Sequence, residues 1–256
     1  MRPRRYRHRR AADTFSLTRS SAKAGAVSGA GGRAISDPQF DRGRLDAALA
    51  RAGFAPGAPT HLRLYKRERL LELWLADAAG RFRLFRSYPI CAYSGGLGPK
   101  LAEGDRQAPE GFYRVARGQL NPNSRHHLAF DIGFPNAFDR ALGRTGSVLM
   151  VHGGCSSAGC YAMTDAQIDE IYAVVAAALA AGQAAVDVSI FPFRLSETAL
   201  QAEAANPWLA FWRNLKRGAD LFAATGAPPP VAARAGRYVF GAEAAGPDCT
   251  PIAGWA

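Results

Sequence analysis

Cys160 stands eight residues after His152 in the run Val151-His152-Gly153-Gly154-Cys155-Ser156-Ser157-Ala158-Gly159-Cys160. A thiol becomes a strong nucleophile when a base removes its proton. Its attack on a carbonyl builds an oxyanion that free backbone N–H groups can hold. His152 offers the base, Cys160 the thiol, and the backbone around Gly159 and Cys160 the N–H groups, so the pattern suits acyl transfer. The same residue types admit two other chemistries. His152, Cys155 and Cys160 make three ligands of a zinc site, with His126 or His127 as candidate fourth. Cys155 and Cys160 also make a candidate disulfide or redox pair, although no C-x-x-C spacing is present.

These side chains need elements to hold them. Val148–Val151 reads as a short apolar strand that delivers His152 to a loop. Thr164 and Gln167 form a capping-box pattern, which predicts a helix running to about Ala181. Ile168, Ile171, Tyr172, Val175 and Leu179 recur at helical spacing along it, and Gly182 suits its stop. Upstream, Leu62 and Leu64, then Leu71, Leu73 and Leu75, then Phe82 and Leu84 alternate with more polar positions, the period of strands. The turn Asp77-Ala78-Ala79-Gly80 joins the last two runs into a hairpin. Strand pieces are expected near Phe112–Val115, Leu128–Ile132 and Val186–Ile190, and a short helix over 41–51. From Ser196 the pattern turns helical. Asn206-Pro207 reads as a cap and first helical position, followed by a packing face of Trp208, Phe211, Trp212, Leu215 and Phe222.

The 256 residues carry 32 Lys/Arg and 21 Asp/Glu, a net charge of +11. Nine of the basic residues and one acid fall in residues 1–36, leaving a net of +3 for the rest. The basicity thus belongs mainly to an Arg-, Ser- and Gly-rich segment without helical or strand period, read as a disordered tail. An Arg cluster also suits an anionic polymer, so a non-enzymatic wall- or nucleic-acid-binding role is a competing reading. The segment has the positive start of a secretory signal but no apolar run of about 7–15 residues after it. No apolar stretch of about 18 residues suggests a transmembrane helix. Four cysteines are too few for a disulfide scaffold. Cys91 and Cys249 read as structural, and Cys155 has no assigned role.

The combination of motifs resembles the L,D-transpeptidase (YkuD-domain) family, in which His-Gly is followed by Ser-x-Gly-Cys. Here these are His152-Gly153 and Ser157-Ala158-Gly159-Cys160. Gly98-Pro99-Lys100, Glu103-Gly104-Asp105 and Pro109-Glu110-Gly111-Phe112-Tyr113 resemble the loop and strand that precede the active site, so the resemblance spans about residues 60–192. Most members place the Cys well over ten residues after the His and carry an Arg two positions beyond it. Here the gap is eight and Ala162 stands at that place. Both features, with Met163-Thr164-Asp165, resemble the YafK-type branch.

The resemblance implies an α+β fold with a β-rich catalytic domain, a mixed sandwich or barrel with a helix after the Cys, plus a C-terminal helical extension. The expected divisions are a tail at 1–36, a helical lead-in at 37–58, the catalytic domain at 59–195 and the extension at 196–256. Cys160 would be the nucleophile and His152 its base, with the Gly153 carbonyl orienting the imidazole and Ser157 and Gly159 shaping the oxyanion site. His126, His127 and Arg106 are candidate contacts for substrate carboxylates. The implied substrate is a peptidoglycan stem peptide, attacked at the L-centre of its third residue. The acceptor would be an amine, including that of a wall-linked lipoprotein; in a hydrolase variant it would be water. No cofactor, metal or nucleic acid is expected, the chain is expected to be a monomer, and the substrate implies the periplasm or cell envelope.

Overall fold

The computed structural model describes residues 40–253, so the basic segment 1–36 lies outside the described residues. Asp41 caps α1 (Arg42–Arg51), its carboxylate accepting from the Arg44 N–H at 3.1 Å, and Leu45 and Leu49 form the buried face. Three antiparallel strands follow where the period-two runs stand: β1 (Thr60–Tyr65), β2 (Leu70–Ala76) and β3 (Phe82–Pro89). Asp77 shapes the β2–β3 turn by accepting from the N–H groups of Ala79 and Arg81.

A loop-rich stretch carries β4 (Ala92–Tyr93), β5 (Gly111–Val115), β6 (Leu120–Asn121), β7 (Ala129–Asp131) and the short α2 (Ala137–Ala141). Then come β8 (Met150–His152), β9 (Tyr161–Ala162), α3 (Asp165–Ala180) and β10 (Val186–Phe191). The strand expected over 148–151 begins two residues later and ends one residue later, because Val148 has φ +53 and cannot lie in a ladder. The capping box is present at α3: Thr164 Oγ1 accepts from Gln167 N at 3.3 Å, and Gln167 Oε1 from Thr164 N at 3.0 Å.

Two five-stranded sheets result, in the orders β3-β2-β1-β10-β5 and β4-β9-β8-β7-β6. Among the described residues, only β1/β10 and β8/β9 pair in parallel. The main core lies between these sheets and α3. It takes Leu62, Leu64 and Val188 from the first sheet, Phe130, Val151 and Tyr161 from the second, and Ile168, Ile171 and Val175 from the helix. Each such side chain contributes about 1.5–3 kcal/mol on burial. The helix behind the Cys160 loop is therefore a firm base for it.

The C-terminal part adds α4 (Glu197–Ala202) and α5 (Leu209–Thr225), then three short strands, β11 (Val231–Arg234), β12 (Arg237–Phe240) and β13 (Thr250–Pro251), in the order β12-β11-β13. Helix α5 starts two residues later than the Asn206-Pro207 reading, because the Asn206 side chain accepts from Trp208 N at 3.0 Å in a local turn ahead of the helix. The β11–β12 hairpin turns on Ala235 and Gly236, both at positive φ. Trp212 and Leu215 of α5 and Tyr238 and Phe240 of β12 are buried in a second core with Phe112 and Phe191, whereas Phe222 of α5 is buried against His61 and Trp74 of the first sheet. Among the described residues no helix is long and apolar enough to cross a membrane.

Candidate active site

Strand β8 is the spine of the site. It pairs antiparallel with β7, matching Ala129 to His152, Phe130 to Val151 and Asp131 to Met150. It pairs parallel with β9, matching Val151 to Tyr161 and His152 to Ala162. Phe130, Val151 and Tyr161 are buried in the main core. Side chains alternate across a strand, so Asp131, Met150 and His152 face the other way. Extending the β8/β9 register by one residue sets Cys160 beside Met150 on that same face. There the Met150 N–H donates to Cys160 Sγ at 3.4 Å, because β9 begins too late to offer it a backbone partner.

A parallel pair joined by residues 153–160 alone is unusual, since parallel crossovers normally take a dozen residues or more. The loop must leave β8, reverse and return to its start. Gly159 makes the last bend at φ +136, a conformation few side chains tolerate. Gly153 is packed so tightly that a Cβ there would come within 2.6 Å of Asp165 Oδ1 and 2.9 Å of the His126 carbonyl. Asp165, at the start of α3, accepts from Gly154 N at 2.7 Å, and Met163 N donates to the His152 carbonyl at 2.7 Å. Ser157 Oγ donates to the Cys160 carbonyl at 2.7 Å and accepts from Gly159 N at 3.2 Å. The Ser157 hydroxyl thus braces the turn, and the Gly159 N–H is committed to it. The N–H of Cys160 has no hydrogen-bond partner among the described residues.

A disulfide joins Cys155 to Cys91, with Cα atoms 5.2 Å apart, inside the range such a bond requires. This corrects two readings. Cys155 has a role, tying the apex of the loop to the residue before β4, and it does not pair with Cys160, whose thiol is free. The bond also takes Cys155 out of the zinc ligand set, because a disulfide sulfur is not a thiolate. Among the described residues no cluster of three or more His, Cys, Asp and Glu is arranged to hold a metal.

His152 is buried, and its Nδ1 lies 2.5 Å from the Gly153 carbonyl oxygen. A carbonyl only accepts, so Nδ1 carries the proton and Nε2 keeps the lone pair. Burial lowers the imidazole below its ordinary value of 6.5, the neighbouring His126 lowers it further, and the Gly153 carbonyl works against both. The thiol of Cys160 is raised above its ordinary value, first by burial and then by Asp131, against the Met150 N–H and Lys100. At neutral pH the pair is therefore a thiol and a neutral imidazole rather than an ion pair.

The remaining candidates separate. The ring of His126 lies over that of His152, with centroids 4.6 Å apart and planes at 35°. His127 turns away at φ +68 and pairs with Asp169 of α3 at 2.6 Å. Arg106 is exposed, its carbonyl accepting from Ser94 Oγ, and its guanidinium meets no partner among the described residues. Its chain neighbours tie the loop together: Asp105 pairs with the buried Lys100, and Gln107 bonds Gly96 and Gly98. Asp131 and the Cys91–Cys155 bond escaped the sequence reading, which quoted Lys100 and Asp165 within motifs but gave neither a role. Asp165 carried a signal, an acid in the first helical turn. Asp131 carried another, a polar residue between Phe130 and Ile132, but its neighbours depend on strand register.

The family description "L,D-transpeptidase catalytic domain", YkuD, matches residues 61–188, half of the chain. The chain belongs to the YkuD L,D-transpeptidase family. Its YkuD region runs from β1 into β10 and contains His152 and Cys160. Two relatives named "Putative L,D-transpeptidase YafK", from Escherichia coli K12 and O157:H7, are each 49% identical over 183 residues, 72% of this chain and 74% of theirs. Among solved structures, the helical cell shape determining protein Pgp2 of Campylobacter jejuni aligns at TM-score 0.42 with 22% identity, over 59% of this chain and 56% of that one. Bd1075 of Bdellovibrio bacteriovorus aligns at TM-score 0.37 with 17% identity, over 64% and 60%. YkuD membership and the YafK likeness make this chain one of a family of peptidoglycan L,D-transpeptidases.

Proposed function

We propose that the protein is a cysteine-dependent L,D-acyltransferase of peptidoglycan, with Cys160 as nucleophile and His152 as general base and acid. The observation that carries this reading is the arrangement on β8: a free thiol held on the Met150 N–H, on the same face of the sheet as an imidazole whose Nδ1 is fixed by the Gly153 carbonyl.

The steps follow from the protonation states. His152 Nε2 takes the proton of the Cys160 thiol as sulfur attacks the carbonyl carbon at the L-centre of the third stem residue. The Cys160 N–H, unspent in the fold, stabilises the oxyanion; one such donor is worth about 3 kcal/mol in the transition state. The tetrahedral adduct collapses, the bond to the fourth residue breaks, and its nitrogen takes the proton from His152. The thioester is then attacked by an acceptor amine, which gives its proton to His152, and the Cys160 sulfur leaves and is reprotonated. An incoming water would follow the same path and release a free carboxylate. Ser157 and Gly159 act through the shape of the turn. His126 contributes to the electrostatics of the base. The substrate class supports a periplasmic or envelope location.

Covalent trapping by a carbapenem, followed by mass spectrometry of the intact protein, tests the assignment. Wild type should form one adduct, and Cys160→Ala none. Because the base must be neutral, the trapping rate should fall on the acid side with a midpoint below about 6.5. An undiminished adduct in Cys160→Ala would remove Cys160 from the mechanism.

A further inference from the structure

Asp131 presents a carboxylate on the working face of the β7–β8–β9 sheet, and only one of its oxygens is used in the fold. It stands opposite Met150 on β7, and Met150 in turn holds the Cys160 thiol from the other side. Its residue is only 7% exposed. Gly133 N donates to Oδ1 at 2.7 Å. The second oxygen has no hydrogen-bond partner, yet it is not among the side-chain atoms sealed from solvent without one. No cation pairs with Asp131 among the described residues. Lys100, which also acts on the thiol, is spent on Asp105 and the Ala102 carbonyl.

Two roles within the chain are ruled out by placement. Asp131 does not orient the base, because Ala129 is the residue opposite His152 and the imidazole Nδ1 is already held by Gly153. It does not activate the nucleophile, because a negative charge beside a thiol opposes its ionisation. A buried, half-satisfied carboxylate that works against the first chemical step calls for a cation brought from outside.

We infer that Asp131 is a specificity-determining residue, which receives the ammonium on the side chain of the stem residue whose carbonyl Cys160 attacks. The inference rests on the function proposed above and adds to it the residue that reads the side chain of the donor's third residue. Dimensions agree. Strands lie about 4.8 Å apart, so Asp131 and Cys160 are separated across β8 by about 10 Å. A side chain with an amine on a four-carbon stem reaches about 6 Å at about 1.5 Å per bond. The Asp131 side chain and the acyl carbon on sulfur cover the remainder. Pairing with the ammonium also relieves the push that Asp131 exerts on the thiol, so the correct donor eases its own attack.

The test uses the full chain and tetrapeptide stems that differ only at the third residue: diaminopimelate, lysine or Nε-acetyl-lysine. Release of the fourth residue is followed as kcat/KM, a readout common to transfer and hydrolysis. Wild type should prefer the lysine stem over the acetyl-lysine stem by about tenfold or more, the scale of one partly buried charge pair. In Asp131→Asn the ratio should fall to about one, and Asp131→Glu should recover part of it. A ratio unchanged in Asp131→Asn, or a wild type indifferent to acetylation, overturns the inference and leaves the proposed function standing. A wild type that is trapped by a carbapenem yet releases nothing from any stem overturns both.

Discussion

Burial holds the Asp131 carboxyl up at about 6, against an ordinary value of 3.8, with the Gly133 N–H working in the opposite direction. A folded-state value above the unfolded one means a contribution to stability that is complete below about pH 4 and is lost as pH rises through 6. At pH 7.5 the ionised group therefore costs the fold up to about 3 kcal/mol, at 1.36 kcal/mol per unit. Asp131→Asn, whose amide oxygen still accepts from Gly133, should be more stable than wild type in urea unfolding at pH 7.5 and indistinguishable at pH 4. Equal stabilities at both pH values would mean that the carboxylate is not strained. At this scale the sequence displays residue types and intervals. Cys160 and His152 were legible because a thiol, a base and glycines stood within one short run. The partners Asp131 and Cys91 were not, since a carboxylate or a lone cysteine acquires meaning only from the strand it comes to lie beside.

The loop between β8 and β9 is the element that makes the site, and its apex is fastened by Cys91–Cys155. The bond spans a sequence separation of 64 residues. Chain-entropy reasoning gives a closure of that length about 4 kcal/mol of stabilisation. Replacing both cysteines by serine should lower Tm by roughly 10 °C for a domain of this size. It should also slow carbapenem trapping at temperatures where the variant is still folded, because the turn that carries the Cys160 N–H loses its tether. A variant matching wild type in Tm would show that the bond does not form in solution. Elements with a clean period were readable in advance: β1, β2, β3, α3 and β10 stand close to where alternation and the Thr164–Gln167 box put them. The two-residue strands β4 and β9 are too short to show a period, and β11 and β12, of four residues each, do not alternate apolar with polar positions.

Across the whole molecule, the C-terminal extension reaches the loop that precedes the active site. Lys66 and Glu110 form a fully buried ion pair at 3.1 Å, and Lys66 also donates to the carbonyls of Gly96 and Gly98. Burial lowers the Lys66 ammonium, and Glu110 counters it. The other oxygen of Glu110 accepts from the indole N–H of Trp212 in α5 at 2.8 Å. A side chain at Gly98 would strike Trp208 at 2.5 Å. The extension is thus part of the support for the Gly96–Glu110 stretch that carries Lys100. Glu110→Ala would leave a buried ammonium and indole N–H without their partner, and should cost about 3–5 kcal/mol in urea unfolding. Pairing Glu110→Gln with Lys66→Met should recover most of that loss. No recovery in the double variant would mean that the pair matters for shape rather than charge balance. The polar residues of this network stand far apart in the chain, and their convergence is invisible to any local pattern.

The parallel alignment of β8 with β9 separates two things that a sequence displays as one. The distance between thiol and imidazole is fixed by ladder register, through Val151 with Tyr161 and His152 with Ala162. The number of residues between them is free to vary. Residues can be added to the crossover without moving either reacting group, in the way a longer rope leaves two moored boats where they lie. The crossover is therefore a natural place for divergence, where new contacts for an acceptor can be tried while the chemistry stays untouched.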